Sequence, residues 1–249
     1  MLIMSDITCH NIPPVKSDYE SVGTFVKVAE FDVYVSVPEN KSKPFKKAII
    51  VSYDVFGFHP NVQQYCDLLA KAGFLALLPD YFRGETSQFK GSLQDLIEFL
   101  KNNYTLEKNV EDTLKVVEYF RSEYGVENFG FTGFCWGGIL GSALCADKNF
   151  DACVLVHYAP GIQPPEKFEK SQCPIAFLPA STDIDSQPFV DAMKDKPFAD
   201  KNFQKRFDDM KHGFAGSRGD LNDELIRKRV NEVVEISIKF FADNVGVKY

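Results

Sequence analysis

The chain has 249 residues, of which 45% are hydrophobic and 25% charged, with a formal net charge of −7. That balance excludes a disordered or low-complexity chain, and the acidic surplus argues against a nucleic-acid partner, which needs a clustered basic face. No apolar run approaches the roughly 18–20 residues that span a bilayer, and Met1 to Met4 is too short for a secretory signal, so no membrane partner is expected and the expected compartment is the cytoplasm.

Residues 1–22, with Pro13-Pro14, show little periodicity and read as an irregular lead-in. Thr24 to Val28 and Phe31 to Val37 alternate and are rich in β-branched residues, which predicts an antiparallel hairpin. Lys41, Lys43, Lys46 and Lys47 form the densest basic stretch and read as a solvated loop. The apolar run Ala48 to Tyr53 suits a strand covered on both faces. A helix follows over Val62 to Ala72, stopped by Gly73, and then a second buried strand over Phe74 to Leu78.

Leu93 to Leu100 and Val110 to Phe120 carry helical spacing, the latter ending near Gly125. Strands are expected at Phe129 to Phe134, Ala152 to Tyr158, Ile175 to Leu178 and Asn202 to Phe207, with helices at Gly138 to Cys145, from Pro188, and over Leu221 to Phe241. This alternation from residue 48 onward predicts right-handed βαβ units. The expected fold is a single α/β domain over residues 1–249, with a mainly parallel central sheet flanked by helices and the hairpin at one edge.

Six cysteines are present: Cys9, Cys66, Cys135, Cys145, Cys153 and Cys173. None lies in a C-x-x-C pair, so neither a zinc site nor a disulfide framework is indicated, and no metal or cofactor is expected. Most read as free, buried, small hydrophobes. Cys135 differs. It sits in Gly133-Phe134-Cys135-Trp136-Gly137-Gly138, between a strand and a helix, with the spacing G-x-nucleophile-x-G. Glycines at both flanks permit a sharp turn that lifts the central side chain above the sheet edge. The helix after it directs free N–H groups and its positive end toward the sulfur, which favours thiolate.

A cysteine nucleophile needs a base, and the base needs an orienting acceptor. Among His10, His59, His157 and His212, only His212 occupies a glycine-containing loop between the last strand and the last helix; His157 reads as a satisfied core or edge histidine. Asp183 follows the strand Ile175 to Leu178 and is the preferred acid, with Asp185 its competitor. The order nucleophile, acid, histidine is that of α/β-hydrolases.

Taken with Tyr53-Asp54-Val55-Phe56-Gly57, Pro79-Asp80-Tyr81-Phe82-Arg83-Gly84 and His212-Gly213-Phe214-Ala215, these motifs resemble the dienelactone hydrolases (carboxymethylenebutenolidases), the eukaryotic cytosolic branch most closely. The resemblance runs from about Phe31 to Ala242. It implies the α/β-hydrolase fold, hydrolysis of small ester or enol-lactone substrates, and a Cys-His-Asp triad of Cys135, His212 and Asp183. It also implies an oxyanion hole from the backbone N–H groups of Val55 and Trp136, and an acid contacting the thiol, here Asp54 where bacterial members have Glu. The family's two substrate-binding arginines have no match in place: Gly84 and Gly216 stand there, with Arg83 and Arg218 nearby as candidates. A monomer or weak homodimer is expected. The competing readings are a catalytically weak binding or interaction protein on the same fold, and a thiol redox enzyme using Cys135.

Overall fold

In the computed structural model, residues 15–39, 43–88, 91–158 and 164–247 are described. His10, Cys9 and most of the lead-in lie outside them, as does Lys41. Eight strands form one sheet: β1 (Thr24–Val28), β2 (Phe31–Ser36), β3 (Lys47–Ser52), β4 (Leu75–Pro79), β5 (Asn128–Phe134), β6 (Phe150–Val156), β7 (Ile175–Leu178) and β8 (Phe203–Gln204). Their order across the sheet is β1-β2-β4-β3-β5-β6-β7-β8. β1, β2 and β4 pair antiparallel, and every pairing from β4–β3 to β7–β8 is parallel. All residues of β4, β6 and β7 are buried, which matches the apolar runs of β4 and β7 and that of β6 after Asp151.

Among the described residues, six α-helices flank the sheet: α1 (Pro60–Lys71), α2 (Leu93–Asn103), α3 (Leu106–Tyr124), α4 (Trp136–Leu144), α5 (Gln187–Asp191) and α6 (Glu224–Asn244). Local chemistry sets their ends. Ser92 and Asp95 form a reciprocal capping box on α2, Thr105 caps α3, and Asp223 accepts from the N–H groups of Leu225 and Ile226 at the start of α6. Gly125 closes α3 at φ +73°. None of these helices is long and apolar enough to cross a membrane.

The expected elements recur with shifted ends: β3 starts at Lys47, which was expected in the basic loop, α4 starts at Trp136 and β6 runs over Phe150–Val156. The strand expected over Asn202 to Phe207 is reduced to Phe203–Gln204, with one further bridge at Ala180–Phe207. Between them the Arg206 guanidinium donates to the carbonyls of Ala180 and Asp183. The described part of the lead-in, although irregular, is tied down: Tyr19 Oη, Tyr34 Oη and Val22 N–H all donate to the buried Asp67 carboxylate of α1.

The register places the site. Ser52 of β3 lies beside Gly133 of β5, Phe134 beside Val156 of β6, and Val156 beside Leu178 of β7. The segments that follow β3, β5, β7 and β8 therefore emerge along one edge of the sheet, at the strands' carboxyl ends, where open α/β sheets bind ligands.

Candidate active site

Cys135 occupies the turn between β5 and α4 at φ +51° and ψ −108°, a backbone conformation rarely adopted outside glycine. Gly133 and Gly137 make this turn possible. A Cβ on Gly133 would collide with the Gly137 carbonyl, and one on Gly137 would lie 2.6 Å from the Ser52 carbonyl oxygen. The thiol is half-buried. The N–H of Trp136, first residue of α4, and the N–H of Val55 have no hydrogen-bond acceptor among the described residues.

The His212 ring stands between two partners. Its Nε2 lies 3.0 Å from Cys135 Sγ and its Nδ1 lies 2.6 Å from Asp183 Oδ1. Burial pushes the imidazole down, but the hydrogen bonds to Asp183 and Cys135 outweigh it and raise its pKa to about 10. The His212 loop is pinned through its own N–H, which donates to Thr182 Oγ1. Asp183 is nearly buried and its second oxygen accepts from the Ala180 N–H. The competitor Asp185 is elsewhere: it accepts from the Gln187 N–H at the start of α5 and from Gln204 Nε2.

Asp54 departs from the expected thiol contact. Its carboxylate is 2% exposed and accepts three hydrogen bonds, from Phe56 N–H (3.0 Å), Ser217 N–H (2.8 Å) and Ser217 Oγ (2.8 Å). No hydrogen bond joins it to Cys135 among the described residues. With a side chain one methylene shorter than Glu, it clasps the loop after β3 to the loop that carries His212. Asn61 adds a second clasp, donating to the carbonyls of Gly216 and Gly219. This packing explains Gly216: a Cβ there would lie 2.5 Å from Asp54 Oδ2 and 3.4 Å from the His157 ring, so no arginine fits at that position.

Neither candidate arginine lines the cavity beside Cys135. Arg83, one of the two candidates expected to meet substrate, is held by the fully buried Asp112 at 2.7 Å, by Glu30 at 3.2 Å and by the Tyr81 carbonyl. Its role as an ion-pair partner depends on Asp112, which is 29 residues away in α3. Arg218 is exposed, with its guanidinium 5.8 Å from the centre of the Phe56 ring, and its side-chain carbons lie against Gly213.

His157 is the residue that sequence reasoning undervalued. It is fully buried, and neither ring nitrogen has a hydrogen-bond partner among the described residues, so it is not the satisfied histidine expected. Its ring packs edge-on to His212 at 5.1 Å between centroids. Burial first, then the neighbouring His212 charge, push it down to about 3, so it is neutral at physiological pH. Its φ of +35° was a signal invisible to residue type. The remaining described cysteines, Cys66, Cys145, Cys153 and Cys173, are free and buried.

The sequence profile of the dienelactone hydrolase family matches residues 31–244. The chain belongs to that family. It is a hydrolase-family protein with the fold of its relatives. An uncharacterized AIM2 family protein of Schizosaccharomyces pombe is 26% identical over 244 residues, 92% of this chain and 95% of that protein. A carboxymethylenebutenolidase homolog of Xenopus tropicalis is 32% identical over 129 residues, a match covering 50% of each chain. Among solved structures, a proposed dienelactone hydrolase of Klebsiella pneumoniae superposes with a TM-score of 0.71 at 21% identity, covering 89% of this chain and 98% of that one. At that identity the likeness speaks for the α/β-hydrolase fold alone.

Proposed function

We propose that the protein hydrolyses small ester or enol-lactone substrates with Cys135 as nucleophile, His212 as general acid and base, and Asp183 as the residue that orients the imidazole. The observation that carries this reading is the His212 ring hydrogen-bonded to Asp183 through one nitrogen and to Cys135 Sγ through the other.

In the first half-reaction the thiolate adds to the substrate carbonyl carbon. The charge that develops on the carbonyl oxygen rests on the Val55 and Trp136 N–H groups, which have no competing acceptor among the described residues. The tetrahedral intermediate collapses, the C–O bond breaks, and His212 Nε2 protonates the departing alkoxide or enolate. A thioester on Cys135 remains. In the second half-reaction His212 takes a proton from water, hydroxide adds to the thioester carbonyl, and the C–S bond breaks to release the acid and restore the thiolate. Asp183 stabilises the imidazolium in both halves and fixes the tautomer that presents Nε2 to sulfur. Asp54 serves as the brace that keeps the Val55 donor and the His212 loop in register, rather than as a partner of the thiol.

The test is hydrolysis of p-nitrophenyl acetate and a panel of aryl esters and lactones. Cys135→Ala and His212→Ala are expected to lose at least about 10³-fold in kcat. Wild-type protein that turns over no member of the panel indicates a binding protein on a hydrolase fold instead.

A further inference from the structure

Beside Cys135 lies a cavity of about 470 Å³, within the range of small-ligand pockets. Its walls are apolar: Ile97 and Leu100 of α2, Leu106 at the start of α3, and Ile139 and Leu140 of α4. Val55, Cys135 and Trp136 form the end where a carbonyl would sit. The two charged residues of its lining, Lys101 and Glu107, are exposed and opposite in sign, so the cavity has no net charge to attract a carboxylate. Arginine is absent from the described lining residues. Arg83 is bound to Asp112, and Gly216 is sterically closed to a larger side chain.

His212 is also absent from the described lining. That asymmetry orients a substrate. The leaving oxygen must lie at His212 Nε2 to receive its proton, so the leaving group occupies the His212 side. The cavity, which Cys135 lines and His212 does not, then receives the acyl part.

From this arrangement, and resting on the hydrolase reading above, we infer that the cavity between α2, α3 and α4 is an acyl site selective for neutral, apolar acyl groups of medium length rather than for carboxylate-bearing ones. Its volume has room for on the order of a dozen non-hydrogen atoms, enough for a hexanoyl chain or an aryl-acyl group. A carboxylate at the far end of such a group would be desolvated among Leu100, Leu106 and Leu140, while Lys101 of the lining is exposed to solvent and offset by Glu107.

The experiment compares kcat/KM for p-nitrophenyl acetate, butyrate and hexanoate, and for p-nitrophenyl pentanoate against the p-nitrophenyl monoester of glutaric acid. The acyl site predicts a rise of up to about fourfold per added methylene and of order 100-fold from acetate to hexanoate. It also predicts a preference of at least tenfold for pentanoate over the glutarate monoester. Ile97→Trp, which fills the cavity from α2, should lower the hexanoate-to-acetate ratio at least tenfold. Leu106→Trp should do the same from α3 if the first variant fails to fold. A flat chain-length profile with acetate still hydrolysed, or a preference for the glutarate monoester, overturns the inference and leaves the hydrolase reading intact. Absence of turnover on every ester, acetate included, removes both.

Discussion

The Asp54 clasp makes a prediction that separates two roles for one carboxylate. Three donors converge on it at 2.8–3.0 Å, two from Ser217 and one from Phe56, in a site 2% exposed to solvent. Hydrogen bonds to a buried charged group are worth about 1.5–3 kcal/mol each, and removal leaves the backbone N–H groups of Phe56 and Ser217 unpaired. Because the three bonds share one group, they do not add fully. Asp54→Ala is therefore expected to cost about 3–5 kcal/mol, which for a chain of this size lowers Tm by roughly 10 °C. Ser217→Ala removes one of the three and should cost about 1.5 kcal/mol, the low end of that range. The double variant should cost less than the sum, since Ser217 Oγ has lost its acceptor once Asp54 is gone. The assay is urea unfolding of the four proteins, paired with the rate of iodoacetamide alkylation at Cys135. A stabilising clasp predicts large losses in unfolding free energy and a measurable Asp54–Ser217 coupling. Stability within about 0.5 kcal/mol of wild type, together with a changed alkylation rate, would refute the clasp and return Asp54 to the thiol.

Two further outcomes follow from other buried charges. Arg83→Ala strips the buried Asp112 of its 2.7 Å partner, leaving Lys108 and Lys115 at 3.8 and 3.4 Å. It should cost about 3 kcal/mol in urea unfolding, with KM for neutral esters unchanged, because the guanidinium does not line the cavity. His157, held neutral by burial down to about pH 3, gains its proton only in the unfolded chain between that pH and the ordinary value near 6.5. The unfolded state thus binds more protons in that window, and the contribution present above pH 6.5 is lost as pH falls, by about 2 kcal/mol at pH 5. Urea midpoints measured from pH 7 to pH 4 should fall more steeply for wild type than for His157→Asn. His212 acts in the opposite window: its pKa, raised to about 10, gives stability that is complete below pH 6.5 and lost as pH rises toward 10.

The proximity of Cys135 and Asp183 was readable because each follows a strand whose buried apolar run is plain in the sequence, and that of His212 because its glycine-containing loop lies between the last strand and the last helix. A parallel sheet delivers all such loops to one edge. Glycines flanking Cys135 mark its turn without ambiguity, since their Cβ positions are occupied by backbone. What escaped were pairings between distant residues. Asp54 meets Ser217 across 163 positions, and Arg83 meets Asp112 across 29, so each read as free for substrate or thiol when taken alone. Helix spacing announced α2 and α3 but not that Ile97, Leu100 and Leu106 line a cavity as well as packing on the core. The overextended β8 has the same origin. Phe203 and Phe207 alternate as a strand should, but Arg206 reaches the Ala180 and Asp183 carbonyls between them.

The central claim, that sulfur at position 135 carries the acyl group, is tested most directly by acid-quenched mass spectrometry during turnover of p-nitrophenyl hexanoate. The account predicts a hexanoyl adduct, +98 Da by composition (~98, C6H10O), on the peptide containing Cys135, removed by hydroxylamine and absent in Cys135→Ala. Steady turnover with the acyl group on another residue, or with full activity retained in Cys135→Ala, would contradict it.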